Sequence, residues 1–198
     1  ILELIPTTLD LQCPANLTVA LPNNASNVPV TYAQPTATTD CPGAPPTIAL
    51  TQGLASGGNF PPGLTTVCYE ANNTCNNVDN CCFTVLVSTL DLVCPPNLTV
   101  ALPNNAATVP VNYAQPTVTT NCPDGTPAIQ LTQGLASGGN FAAGVNTICY
   151  EATNTCGNSK SCCFTATVTT LSIQCPANVT VQLPVAATTV PVNYNAPT

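Results

Sequence analysis

The segment "CYEANNTCNNVDNCCFTVLVS", residues 68–88, contains four cysteines and ends in a run of alternating apolar residues. Successive side chains of a β-strand point to opposite faces of a sheet, so the adjacent Cys81 and Cys82 cannot both face the core. Cys81 lies in phase with the apolar Phe83, whereas Cys82 lies in phase with Thr84. We therefore predict that Cys81 points inward and that Cys82 points outward.

A second copy of this segment, "CYEATNTCGNSKSCCFTATVT", residues 149–169, makes the same distinction more clearly. Cys162 is in phase with Phe164 and with two further apolar residues. Cys163 is in phase with three threonines, which suit the solvent-facing side of a strand. The face assignment of the first copy therefore extends to the second.

Both copies belong to a repeat of 81 residues. The motif "LDLQCPANLTVALPNNA" begins at residue 9, and close variants begin at residues 90 and 171. A period of this length matches one small domain and exceeds the usual length of a solenoid repeat. We predict that residues 9–89 and 90–170 form two complete repeats and that residues 171–198 form part of a third. Residues 1–8 are predicted to be a terminal strand or the end of a preceding unit.

The pattern within a repeat indicates strands and no helix, because apolar residues alternate and Pro, Asn and Gly occupy the breaks. The strands predicted in the first repeat are residues 9–13, 17–21, 28–33, 47–51, 65–71 and 81–88, with one more around "GGNF". This number suits an all-β fold of tandem immunoglobulin-like β-sandwich domains. An up-and-down barrel is the alternative.

Six cysteines per repeat allow three disulfides. If Cys68 lies opposite Cys82 on the outer face, their hairpin is centred on Cys75. Cys13 is in the inner phase of the first strand, which favours a bond to the inward Cys81 and leaves Cys41 for Cys75. A bond from Cys13 to Cys82 would instead refute the face assignment. The predicted disulfides are Cys13–Cys81, Cys41–Cys75 and Cys68–Cys82, and in the second repeat Cys94–Cys162, Cys122–Cys156 and Cys149–Cys163.

The composition argues against several classes of function. The chain has 198 residues with 13 Cys, one Lys or Arg, eight Asp or Glu and no His, and its formal net charge is −7. Binding to nucleic acid and polybasic binding to membranes both depend on Lys and Arg, so we predict neither. Regularly spaced cysteines without His indicate disulfides rather than zinc, and predict a secreted, extracellular or cell-surface protein. No segment approaches the roughly 20 apolar residues of a membrane span, and "ILELIPTT" does not resemble a signal peptide.

The sequence predicts no enzyme and no cofactor. General acid–base and metal catalysis commonly use His, which is absent. The carboxylates of Asp10 and Glu70 recur in the second repeat, but Glu70 is in the outward phase and is interpreted as a surface residue. The cysteine spacing is not a common metal-ligand pattern. The segment "GLASGGNF" lacks the lysine of a phosphate-binding loop.

Several segments resemble the hyalin repeat, an extracellular module. These are "CPANLTV", "YAQPTATTDC", "TQGLASGGNFPPGLTTVCYEANNTC" and "CCFTVLV". The resemblance covers both full repeats and the start of the third, and implies an immunoglobulin-like sandwich. It also implies that Cys13 pairs with Cys81 or Cys82 and that no catalytic residues are present. The additional cysteines and the segment "NNTCNN" depart from the family pattern.

The sequence also contains acceptor patterns for N-linked glycans. A chain with few charges and a mean hydropathy of +0.26 needs another source of solubility, which sugars on Asn or Thr would supply. The candidate glycosylation sites are Asn16, Asn24, Asn72, Asn97 and Asn178.

The resemblance implies a stalk, adhesion or matrix protein, and we predict a structural subunit of an extracellular fibre or cell-surface stalk. The alternative is an adhesin or a module that binds carbohydrate or protein. Self-association into filaments or long tandem arrays is expected. One hypothesis for assembly is that a terminal strand completes the unfinished third repeat of a neighbouring chain. The residues proposed for that strand are Ile1, Leu2, Leu4 and Ile5.

Overall fold

The computed structural model describes residues 7–198, and the assembly strand proposed at residues 1–5 lies outside this range. The described residues form sixteen strands and no helix, so none of them forms a helix able to cross a membrane. The strands of the first repeat are β1 (Leu9–Gln12), β2 (Leu17–Ala20), β3 (Val28–Pro29), β4 (Thr36–Thr39), β5 (Thr47–Gln52), β6 (Asn59–Phe60), β7 (Gly63–Asn72) and β8 (Val78–Ser88). Those of the second are β9 (Leu90–Val93), β10 (Leu98–Ala101), β11 (Thr108–Pro110), β12 (Thr117–Thr120), β13 (Ala128–Gln133), β14 (Asn140–Ala142), β15 (Gly144–Thr153) and β16 (Ser159–Thr169).

Each repeat is a sandwich of two layers. One layer of the first repeat is a four-stranded sheet in the order β2-β8-β7-β5, in which only the β2–β8 pair is parallel. The other layer consists of the antiparallel pairs β1–β4 and β3–β6. The second repeat has the same arrangement. The predicted all-β, immunoglobulin-like sandwich is therefore confirmed, and the alternative barrel is not observed among the described residues.

The alternation of residues in β7 and β8 creates the core of the sandwich. Val67 and Tyr69 of β7 are buried together with Phe83 and Val85 of β8, whereas the intervening residues face outward. From the other layer, Phe60 packs into the same core and is completely buried. Removing such apolar side chains from water is the main favourable contribution to folding.

One predicted strand is shorter by several residues in the structure, and one observed strand was not predicted. Residues 28–33 form only the two-residue β3, because the residues after Pro29 bond to a tight turn at residues 55–58 instead of to a strand. The backbone of Val30 bonds to Gly57 and Gly58, and that of Tyr32 bonds to the hydroxyl of Ser56. The strand β4, "TATT", pairs with β1 although its sequence has only a weak apolar alternation. Its place is determined by the partner strand rather than by its own pattern.

The third unit has no assigned strand within residues 171–198. Gln174 and Thr198 nevertheless exchange two backbone hydrogen bonds. They occupy the positions of Gln12 and Thr36, which pair at one end of the β1–β4 ladder in the first repeat. The third unit therefore begins the same pairing as the complete repeats.

We expect Gly53→Ala to destabilise the first repeat more than Gly57→Ala. Both glycines have a positive φ, 86° and 84°, so both substitutions incur the strain of a left-handed residue, about 1–2 kcal/mol. A Cβ at Gly53 would also lie 2.5 Å from the carbonyl oxygen of Thr66, whereas a Cβ at Gly57 meets nothing within 4 Å. Urea unfolding of the two variants measures the difference. Equal losses of unfolding free energy would show that the backbone of Thr66 moves away from the added Cβ at little cost.

Candidate functional site

Cys13 and Cys81 join the first and last strands of the sandwich. Their Cα atoms are 5.7 Å apart, and both side chains are partly buried against the core. Cys94 and Cys162 form the equivalent bond in the second repeat. The disulfide joins residues 68 positions apart, so it closes most of the repeat into one covalent loop.

The second disulfide lies at the end of the repeat where β1 begins, which we call the leading end. Cys41 follows β4, and its partner Cys75 lies at the tip of the β7–β8 hairpin. The hydroxyl of Thr74 lies 3.2 Å from the sulfur of Cys41. Cys122 and Cys156 repeat this connection. The leading end is thereby held together by covalent bonds as well as by packing.

The third disulfide lies on the outer face of the four-stranded sheet. Cys68 and Cys82 are directly opposite each other on β7 and β8, with Cα atoms 4.2 Å apart, and Cys82 is exposed. The pair Cys149–Cys163 is equivalent. All six disulfides join the pairs named in the sequence analysis, four from the strand faces and two, Cys41–Cys75 and Cys122–Cys156, from the cysteines that remained. Cys175, which has the position of Cys13 in the third unit, is exposed and unbonded among the described residues.

A pair of tyrosines links the two layers of each sandwich, and in the first repeat both are buried. The hydroxyls of Tyr32 and Tyr69 are 2.9 Å apart, and Tyr32 donates a 2.6 Å hydrogen bond to the carbonyl of Leu54. Burial, together with the contact to Tyr69, raises the pKa of Tyr32 above its ordinary value. Tyr113 and Tyr150 form the same pair in the second repeat. The neutral hydroxyl thus serves as a structural donor, as expected for a core residue.

The predicted glycosylation asparagines differ in their surroundings. Asn16 and Asn97 are exposed, and their side-chain carbonyls accept the backbone N–H of Thr84 and Thr165 at 2.9 Å and 2.8 Å. The amide nitrogen is the atom that carries an N-linked sugar, and in both residues it makes no hydrogen bond among the described residues. Both side chains can therefore support the sheet and present this nitrogen to solvent.

The other three candidates have less uniform surroundings. Asn72 is half-buried, and its amide nitrogen donates a 3.0 Å hydrogen bond to Glu70. Its sequon threonine, Thr74, packs against the Cys41 sulfur. Asn24 is exposed in a turn with φ of 65°, and Asn178 is exposed in the third unit. Asn72 is thus the least accessible acceptor of the five.

The charged side chains act mainly as hydrogen-bond partners. Asp79 accepts the backbone N–H of Leu11 at 2.7 Å and so connects β8 to β1. Lys160 and Asp91 form an exposed ion pair at 3.6 Å. Glu70 receives the amide of Asn72. Among the described residues, no group of three or more Cys, Asp or Glu has a geometry that could hold a metal ion.

Two asparagines at the leading end, which sequence reasoning overlooked, contact the preceding repeat. Only Thr89 separates β8 from β9, so the two sandwiches follow each other without a linker. Asn158 of the second repeat is buried and accepts a 2.7 Å hydrogen bond from the hydroxyl of Ser88 in the first. Asn154 donates to the same hydroxyl at 3.3 Å. The available signal was the recurrence of both asparagines, as Asn73 and Asn77, in the first repeat.

Consecutive sandwiches that share strand topology, disulfides and a short connection define a tandem immunoglobulin-like repeat protein. Three disulfides in each repeat suit an oxidising, extracellular environment. The chain belongs to the HYR domain family, whose model matches residues 6–87 and 91–168. The prediction from the sequence motifs is therefore confirmed.

Individual proteins also resemble the chain. It is 29% identical to hyalin of Strongylocentrotus purpuratus in an alignment that covers 94% of this chain and 16% of hyalin. The chain thus spans only about a sixth of that relative. Among solved structures, protocadherin gamma B4 is 15% identical with a TM-score of 0.43. The alignment covers 82% of this chain and 32% of the protocadherin chain. Domains 3–6 of protocadherin gamma B2 are 12% identical with a TM-score of 0.40. That alignment covers 83% of this chain and 53% of the protocadherin chain.

We expect the outer disulfide to be reduced before the inner one. A thiol reagent must reach a sulfur atom, and Cys82 is exposed whereas Cys13 and Cys81 pack against the core. Stepwise reduction followed by alkylation and mass spectrometry should label Cys68 and Cys82 first. The equivalent pairs of the second repeat provide an internal replicate. Simultaneous labelling of Cys13 would contradict the expectation.

Proposed function

We propose that this chain is part of an extracellular fibre or cell-surface stalk whose repeats transmit tension with little extension. The observation that carries the proposal is the position of the Cys13–Cys81 bond between the first and last strands. The role is mechanical and non-catalytic, and it is supported by two repeats in series that share the same strands and disulfides. Long arrays of such repeats, or self-association into filaments, would be the functional assembly.

The two ends of a repeat lie at opposite ends of its long axis. At the leading end, Thr8 contacts Asp40, and Thr7 contacts Asn77 just before the start of β8. The chain leaves at Ser88, the last residue of β8. A strand of 11 residues spans about 35 Å, so each repeat advances the chain by at least this length. Repeats in series would therefore form an elongated array.

A pulling force along this array would pass through the inner disulfide. The force would enter along β1 to Cys13, cross the sulfur–sulfur bond to Cys81 and leave along β8. The residues between Cys13 and Cys81 lie outside that path, together with the Cys41–Cys75 bond. The Cys68–Cys82 bond attaches these residues to β8 but spans no part of the path. Because the last part of β8 is already extended, an oxidised repeat has little hidden length to release.

The outer surface carries polar threonines in place of charged side chains, and these can face water. The outward residues of β16 and its neighbour β15 include Thr147, Thr165 and Thr167, which lie opposite or beside one another. Sugars linked to such threonines or to Asn16 and Asn97 would add solubility and protect the array from proteases. Glycosylation of the chain is therefore part of the proposal.

An adhesin is the alternative role. Ligand-binding repeats usually carry their specificity in loops. The loop "GLASGGNF" is identical in the two repeats, at residues 53–60 and 134–141. Identical loops favour a mechanical or coating role over a specialised binding site.

We expect single-molecule pulling of the oxidised chain to give no long unfolding steps. Reduction should add steps of roughly 230 Å for each repeat, because about 3.4 Å per residue is then released across the 68-residue separation of Cys13 and Cys81. Without reductant, the double variant Cys13→Ser with Cys81→Ser should show one step of roughly half that length, because the Cys41–Cys75 bond still bridges 34 of the 68 residues.

The matched control is Cys68→Ser with Cys82→Ser. Cys68 lies within the segment that the inner disulfide bypasses, and Cys82 lies just beyond it on β8. This bond therefore spans no part of the force path, and its removal should leave the extension of the oxidised chain unchanged. Steps of the full repeat length in the oxidised wild-type chain would refute the mechanical role. Such a result would leave the family assignment intact.

We expect N-linked sugar at Asn16 and Asn97 and little or none at Asn72. The first two expose their amide nitrogens, whereas that of Asn72 is bonded to Glu70. Peptide mass spectrometry of native material measures the occupancy. Thr18→Ala should abolish the sugar at Asn16 in a glycosylating host without altering the asparagine itself. Bare Asn16 together with occupied Asn72 would contradict the expectation.

A further inference from the structure

We propose that the leading end of each repeat is a docking site for the two-residue segment Ser/Thr–Thr that ends the preceding repeat, and that this contact fixes the angle between consecutive repeats. In the second repeat the docking site consists of Thr120, Asn121, Asn154 and Asn158. Its occupant is the dipeptide Ser88–Thr89. The inference concerns the stiffness of the array and holds whether or not the array forms a fibre.

Asn158 recognises both polar groups of Ser88. Its carbonyl oxygen accepts the Ser88 hydroxyl at 2.7 Å, and its amide donates to the Ser88 carbonyl at 3.1 Å. Ser88 is fully buried and Asn158 is only 7% exposed. Polar groups buried in this way are costly unless they are bonded, so the interaction selects a residue with a small hydroxyl side chain.

Thr89 is held through its backbone. Its N–H donates to the side-chain carbonyl of Asn121 at 2.7 Å, and its carbonyl accepts the hydroxyl of Thr120 at 2.6 Å. The amide of Asn121 also donates to the carbonyl of Val87 at 3.1 Å. Three consecutive residues at the end of the first repeat are thus bonded to side chains of the second.

The docking site is organised by its own repeat. Asn154 accepts the backbone N–H of Asn158 at 2.9 Å and donates to the side-chain carbonyl of that residue at 3.0 Å. It also donates to Thr120 at 3.0 Å. The nearby Cys122–Cys156 disulfide joins the two loops that carry these groups. Little conformational freedom remains to be lost when the dipeptide binds.

The first repeat contains the same site with the same type of occupant. Thr7 donates to Asn77 at 2.9 Å and accepts from it at 3.1 Å, as Ser88 does with Asn158. The N–H of Thr8 donates to Asp40 at 2.5 Å, and its carbonyl accepts from Thr39 at 2.6 Å. The site is therefore a property of the repeat, and it accepts either Ser or Thr.

A second contact lies beside the dipeptide and restricts bending. Residues 21–25 form a turn of the first repeat, and the Leu21 N–H bonds to the Ser88 carbonyl at 2.8 Å. The Leu21 carbonyl accepts from Asn158 at 3.2 Å, and Asn23 donates to the carbonyl of Ser159 at 3.1 Å. One attachment point would act as a hinge, whereas two points at different positions define an angle.

The test compares Ser88→Val with Ser88→Thr in the isotope-labelled, disulfide-intact 198-residue chain. Valine and threonine have the same shape, so any crowding at this buried position is common to both, and only threonine keeps the hydroxyl. NMR residual dipolar couplings report whether one alignment tensor describes both repeats. We expect one tensor for the wild type and for Ser88→Thr. Ser88→Val should lose the common tensor.

A second pair of variants tests the contact beside the dipeptide without touching a buried residue. Asn23→Ala removes the bond to Ser159 and should weaken the common alignment. Asn104→Ala is the matched control, because Asn104 has the same position in the second repeat but lies beside Thr170 and Leu171, at the far end of that repeat from this joint. Chemical shifts of the core of each repeat establish that the variants remain folded.

Two results would overturn the proposal. The first is a wild-type chain whose two repeats already require independent tensors. The second is a common tensor that survives Ser88→Val and Asn23→Ala alike. If Ser88→Val does not fold, the comparison of Asn23→Ala with Asn104→Ala decides the question.

Discussion

The bond between Cys13 and Cys81 is the constraint on which the rest of each repeat depends. It connects the strand that enters the sandwich to the strand that leaves it, and its two sulfurs pack against the core that both layers share. The unfolded chain is thereby restricted to a closed loop, which a small domain needs because its core alone supplies limited stability. The same bond gives the proposed tensile path between neighbouring repeats.

The joint between repeats uses the opposite kind of chemistry. Where the sandwich interior is apolar, the joint buries Ser88 and Asn158 and satisfies their polar groups with hydrogen bonds. Buried polar contacts of this kind give directional specificity more than affinity, because each donor requires an acceptor at a defined position. A rod assembled from such joints would have a defined angle at each step. The inner disulfide would resist extension and the joint would resist bending.

Much of the fold follows from local pattern. The alternation in β7 and β8 identified the inward Cys81 and the outward Cys82, and with them the pairing of Cys68 across the hairpin. The strand β4 could not be predicted in this way, since its four residues have little apolar alternation and acquire their conformation from β1. The early end of β3 could not be predicted either, because the backbone of Val30 bonds to Gly57 and Gly58, in a turn that is remote in sequence.

The sequence by itself determined the repeat length, the strand class, the cysteine faces and the absence of histidine. These features are encoded by residue identity and by periods of two or 81 residues, which require no knowledge of distant contacts. Only the tertiary structure decided which asparagines hold the preceding repeat and which acceptor asparagines present a free amide. Asn16 and Asn72 have similar sequons, yet their amides differ because one faces solvent and the other meets Glu70. Hydrogen-bond partners depend on the positions of residues that are remote in sequence, so local pattern cannot supply them.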